Sequence, residues 1–266
     1  MPPNFHLITS ATDPRILPFL ALKDRELARE GGRFVAEGEH VMRRLLKSGY
    51  QTESVLLSER RADELAGQMP ANVPIYVATT AVLNGIVGYK FHSGVLACGL
   101  RGKRRTLEEV LPNNPARLRI VICEDLNNAE NLGGIVRLAA GFGADALVLG
   151  ERCVDPFFRQ CIRVSMGTLF SLPLVRSNNL LADLAKLREI WKVELAATVL
   201  DVNGEPLSVA KASPRMGLLF GGEAQGLTAQ AVALCDRRLT IPMKLGTDSL
   251  NVAVAAGIFL FHFCPE

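Results

Sequence analysis

The sequence is short of several features that would point to other classes of protein. Its four histidines (His6, His40, His92, His262) share no ligand spacing with one another or with the cysteines, so no metal site is expected. The six cysteines (Cys98, Cys123, Cys153, Cys161, Cys235, Cys264) form no CxxC pair, and several lie in apolar runs, where a free thiol behaves as a small hydrophobe. That usage predicts reduced, structural cysteines and a cytoplasmic protein. Long apolar runs are missing too. The most apolar stretch, Leu250–Cys264, falls below the roughly 20 residues of a membrane-spanning helix and reads as a buried one, so no membrane partner is expected. The opening Met-Pro-Pro-Asn-Phe-His has no basic patch followed by an apolar run, so no secretory signal is expected there. Aromatic residues are only 6%, and the net charge of +3 is too small to name a partner. Residues 1–112 hold 15 Lys/Arg against 12 Asp/Glu, and residues 113–266 hold 15 against 15. The small excess sits where an RNA-guiding domain would carry it, although many domains with no such partner share it.

What the sequence does have is core. At 48% hydrophobic and 21% charged over 266 residues it can fill one large domain or two ordinary ones, and wholesale disorder is excluded. Residues 1–105 read as a small α/β domain: helical patterns over Pro14–Leu22 and Glu37–Ser48, and β-rich runs at Ser54–Ser58, Pro74–Ala78 and Gly94–Leu100. The basic cluster Arg101-Gly-Lys-Arg-Arg105 and the turn-rich Pro112-Asn-Asn-Pro115 then mark a linker over 106–116. Its cations either touch RNA phosphates or are simply solvated. From 117 to 266 the pattern is regular α/β. Strands are predicted at Leu118–Cys123, Ala146–Gly150, Val193–Val199, Gly217–Gly221 and Leu239–Ile241. Helices are predicted at Leu132–Phe142, Leu180–Leu187 and Thr228–Leu234, and from Leu250 onward. Such alternation implies a mostly parallel sheet with helices on both faces.

One glycine motif is a false lead. Gly141-Phe-Gly143-Ala-Asp-Ala146 matches a dinucleotide fingerprint, but it follows a helix and precedes a strand, the reverse of what phosphate binding needs. Gly143 is a helix stop. Three other segments run from strand to helix. Asn127-Asn-Ala-Glu-Asn131-Leu-Gly-Gly134-Ile-Val-Arg137 places Asn131 as a candidate helix cap and Arg137 farther along the helix. Leu218-Leu-Phe-Gly221-Gly-Glu223-Ala-Gln-Gly226 ends a strand in glycines and a carboxylate. Ile241-Pro-Met243 and Gly246-Thr-Asp-Ser249-Leu-Asn251 form a polar loop, with Ser249 or Asn251 at the entrance to the last helix. Singly, each is also what a capped helix or a glycine turn looks like.

Taken in order, Asn-x-Gly-x-x-x-Arg, Gly-x-Glu-x-x-Gly-Leu and Ile-Pro-Met followed by Ser-Leu-Asn-Val-x-x-Ala closely resemble the SpoU family of RNA ribose methyltransferases. Val164-Ser-Met-Gly-Thr-Leu-Phe170 looks like that family's linking segment. Phe34-Val-Ala-Glu-Gly38 and Gly94-Val-Leu-Ala97 resemble the ribosomal-protein-like RNA-binding domain often found ahead of it. The resemblance implies a C-terminal segment threaded into a deep trefoil knot, and a homodimer with its pocket at or near the two-fold axis. It implies S-adenosylmethionine as cofactor, held by backbone groups at Gly221, Ile241 and Leu250 beside Leu219 and Met243. The acceptor side would be lined by Asn131, Arg137, Glu223, Ser249 and Asn251. A permanently protonated guanidinium suits Arg137 to stabilising a developing alkoxide and placing a phosphate. Ser249 and Asn251 would orient the ribose or the methionine end.

Asn-Ala-Glu-Asn stands for the family's commoner Asp-Pro-x-Asn, Arg-Leu-Ala for Arg-Thr-Ala and Thr-Asp-Ser for Glu-Ser, which bears on the substrate more than on the reaction. The separate N-terminal domain favours a structured ribosomal RNA over transfer RNA. The alternatives are a transfer-RNA enzyme and a non-catalytic RNA-binding factor that keeps the fold.

Overall fold

The computed structural model describes residues 4–20 and 32–264. They divide into two compact units, Met1–Lys103 with Phe157–Phe170, and Arg104–Pro156 with Ser171–Glu266.

The first unit holds β1 (Phe5–Ile8), β2 (Arg33–Glu37), α1 (Glu39–Leu46), β3 (Thr52–Ser58), α2 (Glu59–Leu65), β4 (Ile75–Ala78), α3 (Thr80–Val87) and β5 (Val95–Leu100). Its described strands form one mixed sheet in the order β1-β4-β3-β5-β2, with β5 antiparallel to both neighbours. Two sequence expectations change here. The helix expected from Glu37 starts at Glu39, because Arg33–Glu37 is a strand whose three central residues are all buried and so show no alternation. The helix expected over Pro14–Leu22 is a 3-10 turn over Pro14–Phe19, opened by the Asp13 carboxylate on Arg15 N–H and closed by extended backbone at Leu20. Ala21 and Leu22 lie outside the described residues.

The segment Phe157–Phe170, expected in the C-terminal domain, packs with the N-terminal unit instead. Aromatic packing explains it. Phe34 on β2 meets Phe157 and Phe170 at ring-centroid distances of 5.1 and 5.5 Å, and Tyr50 meets the same pair at 5.6 and 5.8 Å. The Arg44 guanidinium also donates to the Met166 carbonyl at 2.5 Å. Sequence adjacency carries no trace of such contacts, since Phe34 and Phe157 are far apart along the chain.

In the second unit come α4 (Leu107–Val110), β6 (Leu118–Cys123), α5 (Ala129–Gly141), β7 (Ala146–Leu149), β8 (Leu174–Arg176), α6 (Leu180–Glu189), β9 (Glu194–Thr198), β10 (Glu205–Pro206), β11 (Arg215–Phe220), α7 (Ala229–Ala233), β12 (Arg237–Thr240) and α8 (Val252–Phe263). Their sheet runs β10-β12-β9-β11-β6-β7-β8, and every pairing is parallel. A parallel sheet needs both faces covered, which is why β6 and β7 are buried at every residue. Arg119 sits inside that apolar run only because its guanidinium donates to the carbonyls of Leu118, Pro214 and Phe263. On one side Ile120, Ile122, Val148, Leu184, Leu187 and Leu195 close a continuous core, each worth roughly 1.5–3 kcal/mol of burial.

Candidate functional site

Open parallel sheets bind ligands beyond the carboxyl ends of their strands, where helix N-termini converge. Here β6, β11 and β12 each run into a loop and then a capped helix. At the first, Asn128 is the cap: its Oδ1 accepts from the N–H groups of Glu130 and Asn131 at 2.7 and 3.2 Å. The expected cap, Asn131, lies inside the first turn of α5, because the helix begins at Ala129 rather than Leu132. Its side chain is thereby released for other work. At the second, Thr228 caps α7, accepting from Ala231 N–H at 3.2 Å. The third cap is Asn251, whose Oδ1 accepts from Ala253 and Val254 N–H at 2.9 and 3.3 Å.

Side chains from all three motifs then meet. Asn131 Nδ2 donates to Glu223 Oε1 at 2.7 Å, and Asn251 Nδ2 donates to Asn131 Oδ1 at 2.8 Å. Residues 92 and 120 positions apart in sequence thus share one hydrogen-bond chain. The side chains of Arg137 and Ser249 are both exposed and make no hydrogen bond or ion pair with any described residue. They stand available to a ligand but are not joined to the chain.

The loops under this cluster are packed backbone to backbone. A Cβ on Gly221 would lie 2.1 Å from the Gly226 carbonyl carbon and 2.3 Å from Leu227 N, so no side chain fits there. Gly226 N–H closes the turn on Gly222 O at 2.9 Å. Close helix packing needs a second glycine, since a Cβ on Gly134 would sit 3.0 Å from that of Ala253 and would hold α5 and α8 apart. Glu124, which the sequence reading passed over, is buried at the end of β6. It accepts from Thr228 N–H at 2.9 Å and from the Thr228 hydroxyl at 2.8 Å, tying the first loop to the second. A lone carboxylate ending an apolar run is the signal that would have found it. Asp125 is missed likewise; it grips Arg152 through two hydrogen bonds of 2.7 and 2.5 Å, which hold the guanidinium pKa above its usual value. Burial pushes the Cys235 thiol up to about 12 and raises Cys153 as well, which leaves neither as a nucleophile.

The residues expected at a cofactor fall into two groups. Leu219 is fully buried in the core, and its carbonyl accepts from the Thr198 hydroxyl at 2.7 Å. Its side chain therefore cannot touch a ligand, a correction that follows from β11 being covered on both faces. Ile241, Met243 and Leu250 are half-buried, and their backbone N–H and C=O groups have no hydrogen-bond partner among the described residues. Half-buried apolar side chains with free backbone groups fit a flat heterocycle read by backbone hydrogen bonds. Among the described residues no three His, Cys, Asp or Glu side chains cluster as metal ligands. No described helix is long and apolar enough to cross a membrane.

The SpoU rRNA methylase family matches residues 118–261, the stretch from β6 into α8. An uncharacterized tRNA/rRNA methyltransferase of Mycobacterium tuberculosis is 36% identical over 260 residues, 94% of this chain and 88% of the relative. The 23S rRNA (guanosine(2553)-2'-O)-methyltransferase RlmP of Bacillus subtilis is 26% identical, over 96% of this chain and 98% of its own. An rRNA methyltransferase of Sinorhizobium meliloti superposes with a TM-score of 0.83 at 25% identity, covering 97% of both chains. Its AdoMet-bound form superposes at 0.82 with 24% identity over the same share of each chain. The three motifs that meet at Asn131 thus lie within a matched family region, and the chain belongs to the SpoU rRNA methylase family.

Proposed function

We propose that this protein is an S-adenosylmethionine-dependent methyltransferase acting on a ribose 2'-hydroxyl of a structured RNA, with ribosomal RNA favoured over transfer RNA. The observation that carries the reading is the hydrogen-bond chain Asn251–Asn131–Glu223, which gathers three separate motifs at the carboxyl ends of one parallel sheet. Family membership and the near full-length likeness to RlmP support the reaction, and the additional N-terminal unit supports a folded RNA as substrate.

The cofactor would be held by backbone groups at Gly221, Ile241 and Leu250, with the half-buried side chains of Ile241, Met243 and Leu250 offering apolar surface. Bound there, it supplies an electrophilic methyl on a sulfonium. The chain's own residues do the rest. Exposed and unpaired, Arg137 stabilises the oxyanion that develops as the ribose hydroxyl loses its proton, and it holds the neighbouring phosphate. Glu223 keeps one carboxylate oxygen, to which no described residue donates, for a hydroxyl donor. Ser249 orients the ribose or the methionine end, and Asn251, engaged with Asn131, holds that side of the site in place, so that alignment supplies much of the remaining acceleration.

Two architectural features belong to the same reading. Strand β11 is inserted between the earlier β6 and β9, which supports threading of the C-terminal segment into a trefoil knot. On α8, Val254, Ile258 and Phe261 are exposed at helical spacing and form an apolar groove with Leu138 and Phe142, which supports a homodimer through this face. Such an enzyme works in the cytosol, beside ribosomal RNA.

The deciding experiment incubates the protein with methyl-labelled cofactor and separated, unmodified ribosomal and transfer RNA, then maps 2'-O-methyl positions. Label in ribosomal RNA is expected. Label confined to transfer RNA would move the substrate, and label in neither would leave only an RNA-binding factor.

A further inference from the structure

Asn251 makes two kinds of hydrogen bond at once. Its Oδ1 accepts from Ala253 N–H (2.9 Å) and Val254 N–H (3.3 Å), closing the N-terminus of α8. A carboxamide has one oxygen and one NH2 group. With the oxygen held by two backbone donors, the NH2 must point away from the helix, and it lies 2.8 Å from Asn131 Oδ1. Asn131 is left with only its own NH2 for Glu223, whose Oε1 accepts at 2.7 Å. The far end agrees with the near one, because an ionised carboxylate can only accept. Reversing either amide would set two donors or two acceptors face to face. The backbone of α8 therefore dictates the orientation of both asparagines.

We propose that Asn251 is a positioning residue: by capping α8 it fixes the polarity of an amide relay that holds one oxygen of Glu223 and leaves the other for the RNA hydroxyl. Only the identity of that hydroxyl rests on the methyltransferase reading; the relay is a property of the protein alone. Because the loop of residues 241–250 runs directly into Asn251, a displaced loop disturbs Glu223 through two hydrogen bonds rather than by contact.

The relay can be run backwards. Asn251→Asp keeps a strong capping oxygen but removes the donor, so Asn131 must turn its NH2 toward position 251 and its oxygen toward Glu223. Two acceptors then face each other. Glu223→Gln supplies an NH2 that can donate to the turned Asn131 oxygen, which rebuilds the chain in the opposite direction.

Thermal unfolding of the full chain without ligand is measured for wild type, both single variants and the double variant, and again for all four with Asn131→Ala. Asn251→Asp is expected to lower the melting temperature by about 2–4 °C, the size of one lost hydrogen bond. Glu223→Gln alone should lower it less, and the double variant should melt above Asn251→Asp alone. With Asn131→Ala the rescue should vanish. Simple addition of the two single losses would overturn the proposal. So would a rescue that persists without Asn131, since it would show direct repulsion between the two carboxylates. Should Asn251→Asp alone fail to fold, folding of the double variant is the rescue, and its failure to fold also overturns the relay. These melts contain neither RNA nor cofactor. An absence of methylation would therefore sink the functional reading and leave the relay standing, while a failed rescue does the reverse.

Discussion

Replacing Gly221 with alanine tests whether the second loop is as tightly built as its backbone implies. A Cβ there would lie 2.1 Å from the Gly226 carbonyl carbon, 2.3 Å from Leu227 N and 2.4 Å from Gly226 O, all backbone atoms that cannot rotate away. Since Cβ contacts under 3.0 Å do not occur, the strand end and the turn must separate by about 0.9 Å (3.0 less 2.1). Overpacking of this kind costs about 1–3 kcal/mol. Losing the 2.9 Å bond from Gly226 N–H to Gly222 O adds about 1 kcal/mol. The total, about 2–4 kcal/mol, corresponds to a fall in melting temperature on the order of 5–10 °C. Gly226 is the control. Its φ of +65° strains an alanine, yet a Cβ there has nothing within 4 Å, so Gly226→Ala should cost only about 1 kcal/mol, or about 2–4 °C. Calorimetry with S-adenosylmethionine should show Gly221→Ala weakened by on the order of tenfold or more, because a displacement near 1 Å is ruinous to a preformed site. A Gly221→Ala protein that melts within about 2 °C of wild type, or one more stable than Gly226→Ala, would refute the steric argument.

Other outcomes follow from the same geometry. Arg137→Ala and Arg137→Lys should cut single-turnover methylation on the order of 10²–10³-fold with an unchanged melting temperature, because the side chain has no partner among the described residues; near-normal turnover would remove Arg137 from the chemistry. Glu53 receives two hydrogen bonds from Arg33, at 2.6 and 2.8 Å, which hold its carboxyl below the usual 4.5. A lowered folded-state pKa means that the unfolded chain binds more protons in that window. The stability from this pair is thus present above pH 4.5 and is lost as pH falls through the folded value, so the urea midpoint should drop more steeply in wild type than in Glu53→Gln. Phe261 is 74% exposed on the apolar face of α8, and Phe261→Asp should convert a dimer to monomer in sedimentation while the monomer stays folded; unchanged mass would exclude this face as the interface.

How much of this was legible in the sequence depended on whether the signal was local. Strand β6 and helices α5, α7 and α8 were, because apolar run length, a capping Asn or Thr and a following glycine or proline are all set by neighbours along the chain. So was the place of the three motifs at strand-to-helix crossings. The three motifs declare strand-to-helix crossings before any contact is known, and those crossings are where a parallel sheet binds ligands. Strand β2 was not legible as a strand: its three central residues are all buried and show no alternation. The release of Asn131 from capping depended on one turn of helix, a distinction of the size at which boundary signals fail. Leu219 was assigned to a ligand by resemblance, whereas coverage of both faces of β11 put it in the core.

What the sequence alone determined, then, is the α/β alternation, the three crossings and the residue types available at them. Only the tertiary structure decided which of those residues touch. It joined Asn251 to Asn131 and Asn131 to Glu223, left Arg137 and Ser249 unpaired among the described residues, and moved Phe157–Phe170 to the N-terminal unit. The physical reason is the same in each case. Propensity and capping act over a few residues, while these side-chain hydrogen bonds and aromatic contacts act across separations of 92 to 136 positions, where the chain carries no local record of its partner.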